Sequence, residues 1–401
     1  MFERAVEMLW QLALGSMAMG AGKTAAAPCS WMGHQSLLLA LLALQSSALL
    51  PPRTSPRRTA PLRAVSFSAP LVDDGYASAS ASRPALLVYL PGFDGNALAP
   101  FLQWPALHDA GFDVRCAAVD AADRSTFEDL AAACAAYVDA ERRGRPALLV
   151  GESFGGALAV AVAGRAAVDG VVLVNPATCY GRLNLAREAP RVAKLPALLY
   201  PFGLLSLLPL FIDRHGLPAL VEIVSSRRLP CVIDTPRREA YQGRIATTLP
   251  GRLPFMPRGT LDWRLREWLD VAARVDVDGL SLPTLVVYGD DDRTLPSADE
   301  AARVVAALAS RGVRAAAHRV PGAGHAGTLG SRVDLRAAVA AFFAEGDTPL
   351  AEIVADEQRE MRADAREPGE DSACFGLFPR EHASVDPRRH YAPEFDARAV
   401  R

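Results

Sequence analysis

The chain has 401 residues, half of them hydrophobic, and a formal net charge of −2. That length and apolar content fit one large globular domain with appendages, and the near-neutral balance excludes the basic footprint of a nucleic-acid binder. Of the 43 basic residues only Lys23 and Lys194 are lysines, a bias read as genomic base composition and not as an anion-binding design.

Residues 1–67 are expected to be a disordered targeting leader. No Asp or Glu occurs from Met8 to Val72, and Ser36–Leu44 is an apolar core of signal-peptide length, too short to span a bilayer comfortably. Pro51–Arg63 follows, rich in arginine and free of acids, as transit peptides are. A signal-like core before a transit-like stretch resembles the two-part leaders of algae whose plastid lies within extra membranes. Plastid localisation is therefore expected, with a secretory or mitochondrial leader as the alternative and Met32 as a second candidate start. Gly20-Ala-Gly-Lys-Thr24 is not a P-loop, because Met17 stands where the first glycine belongs and no strand precedes it.

The expected domain covers 83–346. Ala85–Leu90 is an apolar strand running into Pro91-Gly92-Phe93-Asp94-Gly95-Asn96, a loop whose plainest reading is a turn. Asp113–Val119 is the next strand. A helix follows from Ser125, with a capping box from Ser125 to Glu128 and a buried stripe of Phe127, Leu130, Cys134 and Val138. Ala147–Val150 is a buried strand that enters Gly151-Glu152-Ser153-Phe154-Gly155, and the small residues Gly156–Gly164 open a helix. A serine between strand and helix stands on a strained turn with its hydroxyl clear of the sheet. Alone the pattern is weak; its setting favours a nucleophile over an ordinary turn. Val168–Asn175 is a further strand.

From about 179 to 280 lies an insertion that the sheet does not need. Its Leu195–Phe211 segment is uncharged, but its prolines and glycine argue against a membrane-spanning helix. A cap accepting an apolar chain and ordinary packing of a helical cap are both open readings. The sheet then resumes at Thr284–Gly289, followed by Asp290-Asp291-Asp292. Ser297–Glu300 is expected as a capping box, with Ala301, Val304, Val305 and Leu308 on one helical face and Gly312 closing the helix. Val313–Val320 is another strand, ending at the loop that carries His325, and a final helix is expected over Ser331–Glu345. Residues 347–401 form a charged, largely disordered tail, in which 351–366 could be a solvated helix.

Fully apolar short strands between amphipathic helices imply a mostly parallel, doubly wound sheet covered on both faces. In that arrangement Ser153, Asp292 and His325 reach one edge. Ser153 is a poor nucleophile at its own pKa, so His325 must take its proton, and Asp292 would fix the imidazole tautomer. Spacing after Gly289 favours Asp292 over Asp290 and Asp291. The backbone amides of Phe93 and Phe154 are the candidate oxyanion donors. No metal spacing and no cofactor motif appear. The six cysteines include Cys29 in the leader, and the odd number that remains argues against a disulfide framework.

The order Ser…Asp…His is that of the α/β-hydrolases. With Pro-Gly-Phe-Asp-Gly95, Gly-Glu-Ser-Phe-Gly-Gly156, Asn175-Pro-Ala-Thr178 and Gly289–Ser297, the segment from about Ala85 to Glu345 resembles the plastid esterase/lipase/thioesterase group that includes plant phytyl ester synthases. The resemblance implies an α/β-hydrolase fold with a helical cap. It also implies acyl transfer from a lipid or thioester donor to phytol or diacylglycerol, with Ser153, Asp292 and His325 as nucleophile, acid and base. Peripheral membrane contact through the apolar cap would suit such substrates.

The plant proteins continue into an acyltransferase-like part with a His-x4-Asp motif, whereas a polar tail follows here. His108 and Asp113 share that spacing but fall among elements of the sheet and are read as coincidence. Simple ester hydrolysis thus stays open beside transfer, as does a haloperoxidase-like esterase. A non-catalytic ligand receptor on the same fold is the remaining alternative.

Overall fold

A computed structural model describes residues 65–69, 83–210 and 256–354, apart from 98, 101, 102, 183, 184, 208, 209, 327 and 329–332. Seven strands form one sheet: β1 Ser66–Ser68, β2 Ala85–Leu90, β3 Phe112–Ala118, β4 Ala147–Glu152, β5 Gly170–Val174, β6 Thr284–Gly289 and β7 Ala315–Val320. Their order is β1-β3-β2-β4-β5-β6-β7, parallel throughout except for β1, which runs antiparallel on β3.

The longer α-helices among the described residues are α1 Trp104–Asp109, α2 Phe127–Arg142, α3 Phe154–Ala163, α4 Leu185–Ala193, α5 Tyr200–Ser206, α6 Arg258–Arg264, α7 Ser297–Ala309 and α8 Leu335–Phe343. The two-residue period of β2 sends Leu86, Val88 and Leu90 to one face, where α2, α3 and α7 pack. Ala85, Leu87 and Tyr89 point to the other, against α1 and α8. Both faces are buried, so β2, β4 and β5 carry no polar side to solvent until the sheet's edge. This is the doubly wound sheet expected from the apolar strands.

Several local expectations shift. The capping box at α2 is formed by Thr126 and Asp129, one residue later than Ser125 and Glu128; the Asp129 amide donates to the Thr126 hydroxyl at 3.2 Å. At α7 there is no capping box from Ser297: Pro296 is the N-cap and Ser297 turns to an acidic side chain instead. Gly312, with φ 73°, closes that helix as expected, and the Val313 amide reaches back to the Leu308 carbonyl.

The expected boundary at 67 falls inside β1. Val65 is buried, and Phe67 stacks on Tyr137 at 3.7 Å, because a short strand can cap the open edge of β3. At the other end the chain stays packed past 346. Leu350 and Val354 are buried against the α1 and α8 side of the sheet, so the expected solvated helix begins with one face packed and Glu352 exposed. Cys116, Cys134 and Cys179 are buried free thiols; Cys29, Cys231 and Cys374 lie outside the described residues, as do residues 211–255 of the insertion.

Candidate active site

Register places the chemistry. Leu90 pairs with Gly151, Glu152 with Val174, and Gly289 with Val320, so the loops leaving β2, β4, β5, β6 and β7 all emerge at one carboxyl edge. Ligands in open α/β sheets bind at that edge.

Ser153 stands between β4 and α3 at φ 56° and ψ −119°, a backbone region that favours glycine. Three hydrogen bonds hold the turn: its amide donates to the Val174 carbonyl, and its carbonyl accepts from the Gly156 and Ala177 amides, each at 2.9 Å. The flanking glycines are required by close approach. A Cβ on Gly155 would overlap the Leu90 carbonyl, and one on Gly151 would overlap the carbonyl of Gly155.

The Ser153 hydroxyl lies 2.8 Å from His325 Nε2, and His325 Nδ1 lies 2.9 Å from Asp292 Oδ2. The Asp292 side chain is buried and heavily bonded. Its Oδ1 accepts from the Thr294 and Leu295 amides at 2.8 and 3.0 Å, and its Oδ2 also accepts from the Ser297 hydroxyl at 2.5 Å. Burial pushes this carboxyl up, but the imidazole and the bonds from His325, Ser297 and Leu295 outweigh it and leave it below the usual aspartate range. Burial pulls His325 down. The Asp292 carboxylate and, more weakly, Glu152 more than offset that and hold the imidazole above its ordinary value.

The neighbouring acids are engaged elsewhere, which separates the three candidates. Asp290 pairs with Arg319, and Asp291 with Arg293 at 3.2 Å. His108 is buried on α1, and Asp113 on β3 pairs with Arg115 and Arg145 at 3.0 and 3.2 Å. That pair serves the sheet and is remote from the loops of the carboxyl edge.

Two residues to which the motifs assign no role tie the loops together. Asn175, at φ 41° after β5, accepts from the Gly289 amide at 2.9 Å through Oδ1. Its Nδ2 donates to the carbonyls of Gly324 and His325 at 3.2 and 2.6 Å. One carboxamide therefore fixes the start of the acid loop and the histidine loop. Glu152 does the same between Ser153 and the histidine loop: its buried carboxylate accepts from Tyr89 and Thr328, each at 2.7 Å. Burial raises that carboxyl above the glutamate range despite those bonds. A polar residue closing a buried apolar strand was the available signal for both.

The Phe93 loop abuts the serine. A Cβ on Gly92 would sit 3.6 Å from the Ser153 Cβ. The Phe154 amide is the first of α3, where helix donors have no intrahelical partner. Among the described residues no backbone acceptor takes the Phe93 or the Phe154 amide. This edge therefore holds a hydroxyl, an imidazole and a carboxylate in one hydrogen-bonded line, with the Phe93 loop beside the serine.

Residues 87–342, more than half the chain, match the model of the alpha/beta hydrolase family. The chain is 32% identical over 245 residues to phytyl ester synthase 1, chloroplastic, of Arabidopsis thaliana, covering 57% of this chain and 33% of that protein. It is 31% identical over 233 residues to phytyl ester synthase 2, chloroplastic, of the same plant, covering 54% and 32%. The chain thus spans about a third of the length of these relatives. Among solved structures, the enol-lactonase of Burkholderia xenovorans is similar at 16% identity and a TM-score of 0.43, over 64% of this chain and 87% of that one. The chain belongs to the α/β-hydrolase family.

Proposed function

We propose that this protein is a serine acyl enzyme acting on lipid-like esters or thioesters, with Ser153, His325 and Asp292 as its catalytic line. The single observation that carries the reading is the run of contacts from carboxylate to imidazole to hydroxyl, at 2.9 and 2.8 Å. Ser153 Oγ attacks the acyl carbonyl carbon while its proton passes to His325 Nε2. Asp292 stabilises the imidazolium without taking its proton. The amides of Phe93 and Phe154 receive the oxyanion. His325 then protonates the leaving group, and the acyl group on Ser153 passes to water or to an alcohol.

The alcohol proposed is phytol, with diacylglycerol as a second acceptor, and the place is the plastid. Support comes from the two relatives named as chloroplastic phytyl ester synthases. An apolar substrate also fits the surface near α4 and α5. Leu198 is 82% exposed and Leu199 50%, beside the exposed Arg191 and Lys194. Apolar side chains with cations next to them suit peripheral contact with an anionic lipid surface.

The test is acyl transfer and hydrolysis measured with long-chain thioester or acyl-lipid donors, with and without phytol. Phytyl ester formation that disappears in Ser153→Ala supports the reading. Free acid as the product under both conditions reduces it to an esterase, and turnover unchanged in Ser153→Ala removes the nucleophile.

A further inference from the structure

We propose that Arg264 and Trp268, on the segment that leads from the insertion back to the sheet, are positioning residues that set the two oxyanion donors; this rests on the acyl-enzyme reading above. The Phe93 loop is a tight turn. The Gly95 amide donates to the Gly92 carbonyl at 2.9 Å, and the Val119 amide anchors the loop by donating to the Gly95 carbonyl at 2.8 Å.

Arg264 ends α6 and is fully buried. Its Nη1 donates to the Phe93 carbonyl at 2.8 Å, and its Nη2 to the carbonyls of Asp120 and Val119 at 3.1 and 3.4 Å. The guanidinium fork thereby bolts the tip of the oxyanion loop to the end of β3. Gly95, at φ 76°, closes on it so tightly that a Cβ there would lie 3.0 Å from the guanidinium.

Trp268 completes the arrangement. Its ring lies 4.2 Å beneath the Arg264 guanidinium, stacks on the Phe154 ring at 4.8 Å, and meets the Phe93 ring edge-on at 6.4 Å. Its indole N–H is fixed on the Ser125 carbonyl at 3.0 Å. Both residues whose amides are the proposed donors therefore rest on one indole. Leu265–Leu269, which follows Arg264 and contains Trp268, forms a single π-helical turn, a wide turn often retained at functional sites.

Stability alone explains this arginine poorly. Burial pulls it down to about 10, while the carboxylates of Asp94, Asp123 and Asp120 favour its charge, so it remains a cation at neutral pH. Its hydrogen bonds nevertheless go to backbone carbonyls, and no carboxylate among the described residues lies within ion-pair distance. A desolvated guanidinium with no carboxylate in ion-pair contact is a costly way to hold a loop. The Phe93 carbonyl is joined to the Phe93 amide through one residue's torsions, so holding it narrows the directions the amide can take, and a donor aimed before reaction needs no reorganisation in the transition state.

The experiment compares Arg264→Met, Arg264→Lys and Trp268→Leu with the unaltered protein on p-nitrophenyl butyrate. Turnover is expressed per active site titrated with a fluorophosphonate, so misfolded molecules are not counted. Expected are a kcat per titrated site lowered roughly 10- to 100-fold with KM changed less than about threefold. Binding of a trifluoromethyl ketone, which forms an oxyanion on the serine, should weaken by the same factor. An unchanged kcat per site in Arg264→Met, or a loss confined to the number of titrated sites, overturns the proposal. Unfolding of both arginine variants overturns it too, since the role assigned is in rate and not in folding. Failure of the fluorophosphonate to label Ser153 in the unaltered protein is a different result: it removes the acyl-enzyme reading and this proposal with it.

Discussion

The side-chain amide of Asn175 donates a 2.6 Å hydrogen bond to the backbone carbonyl of His325, a residue 150 positions further along the chain. With its partner bond from the Gly289 amide, this contact sets the spacing between the acid loop and the histidine loop. Asn175→Asp keeps the acceptor but turns the donor into an oxygen facing two carbonyls. A buried group changed from donor to acceptor loses its bonds and adds repulsion, for about 2–4 kcal/mol. Thermal melting should report that loss, and ester turnover should fall with it. A variant that melts like the parent would show that the loops hold their spacing without the carboxamide.

Ser153 carries a conformational cost at its place in the turn. At φ 56° and ψ −119° a serine is strained by about 1–3 kcal/mol, and glycine is not. Ser153→Gly should therefore melt higher than the parent, by about 2–4 °C per kcal/mol recovered, while losing esterase activity. Ser153→Ala keeps the Cβ and the strain and should lack most of the gain. Equal melting temperatures in Gly and Ala variants would argue that the turn is relaxed.

The pH profile follows from the imidazole. His325 lies above its ordinary 6.5 because Asp292 favours its charged form against burial. A base must be neutral to act, so kcat/KM should rise with pH through a limb above 6.5. The stability linkage has the opposite sign. The His325–Asp292 attraction stabilises the fold fully below the unfolded imidazole value and is lost as pH rises through the raised folded value. Glu152 adds to the rise, so Glu152→Gln should move the activity limb to lower pH. A limb that stays in place in this variant would mean that Glu152 bears no charge there.

Leu198 and Leu199 supply the test of lipid contact. Replacing both with serine removes two apolar side chains, each contributing about 1.5–3 kcal/mol when fully buried. Turnover of an ester held in anionic vesicles should drop about tenfold or more, with turnover of a soluble short-chain ester unchanged. Equal loss on both substrates would place the leucines in folding and not in docking.

Some of this was legible in one dimension. The apolar runs 85–90, 147–150 and 284–289 announce strands buried on both faces, and their alternation with amphipathic helices leaves a parallel sheet as the consistent packing. The serine and histidine of the candidate site were readable because each follows a strand at a glycine-flanked turn, Ser153 after β4 and His325 in the loop after β7. Spacing after Gly289 favours Asp292 among the three consecutive acids, but the direction each carboxylate takes is set by tertiary contacts. Which one faces His325 depends on where Arg319 and Arg293 draw the other two.

Local periodicity and chain order are enough to specify the fold class and the loops that carry polar chemistry. The helix caps at Thr126 and Pro296, the edge strand at 66–68, the Asn175 and Glu152 ties and the Arg264–Trp268 contacts were decided by tertiary structure alone. Each depends on a hydrogen bond or ring contact that forms only after distant segments have packed, and no pattern along the chain records which partner a buried polar group will meet.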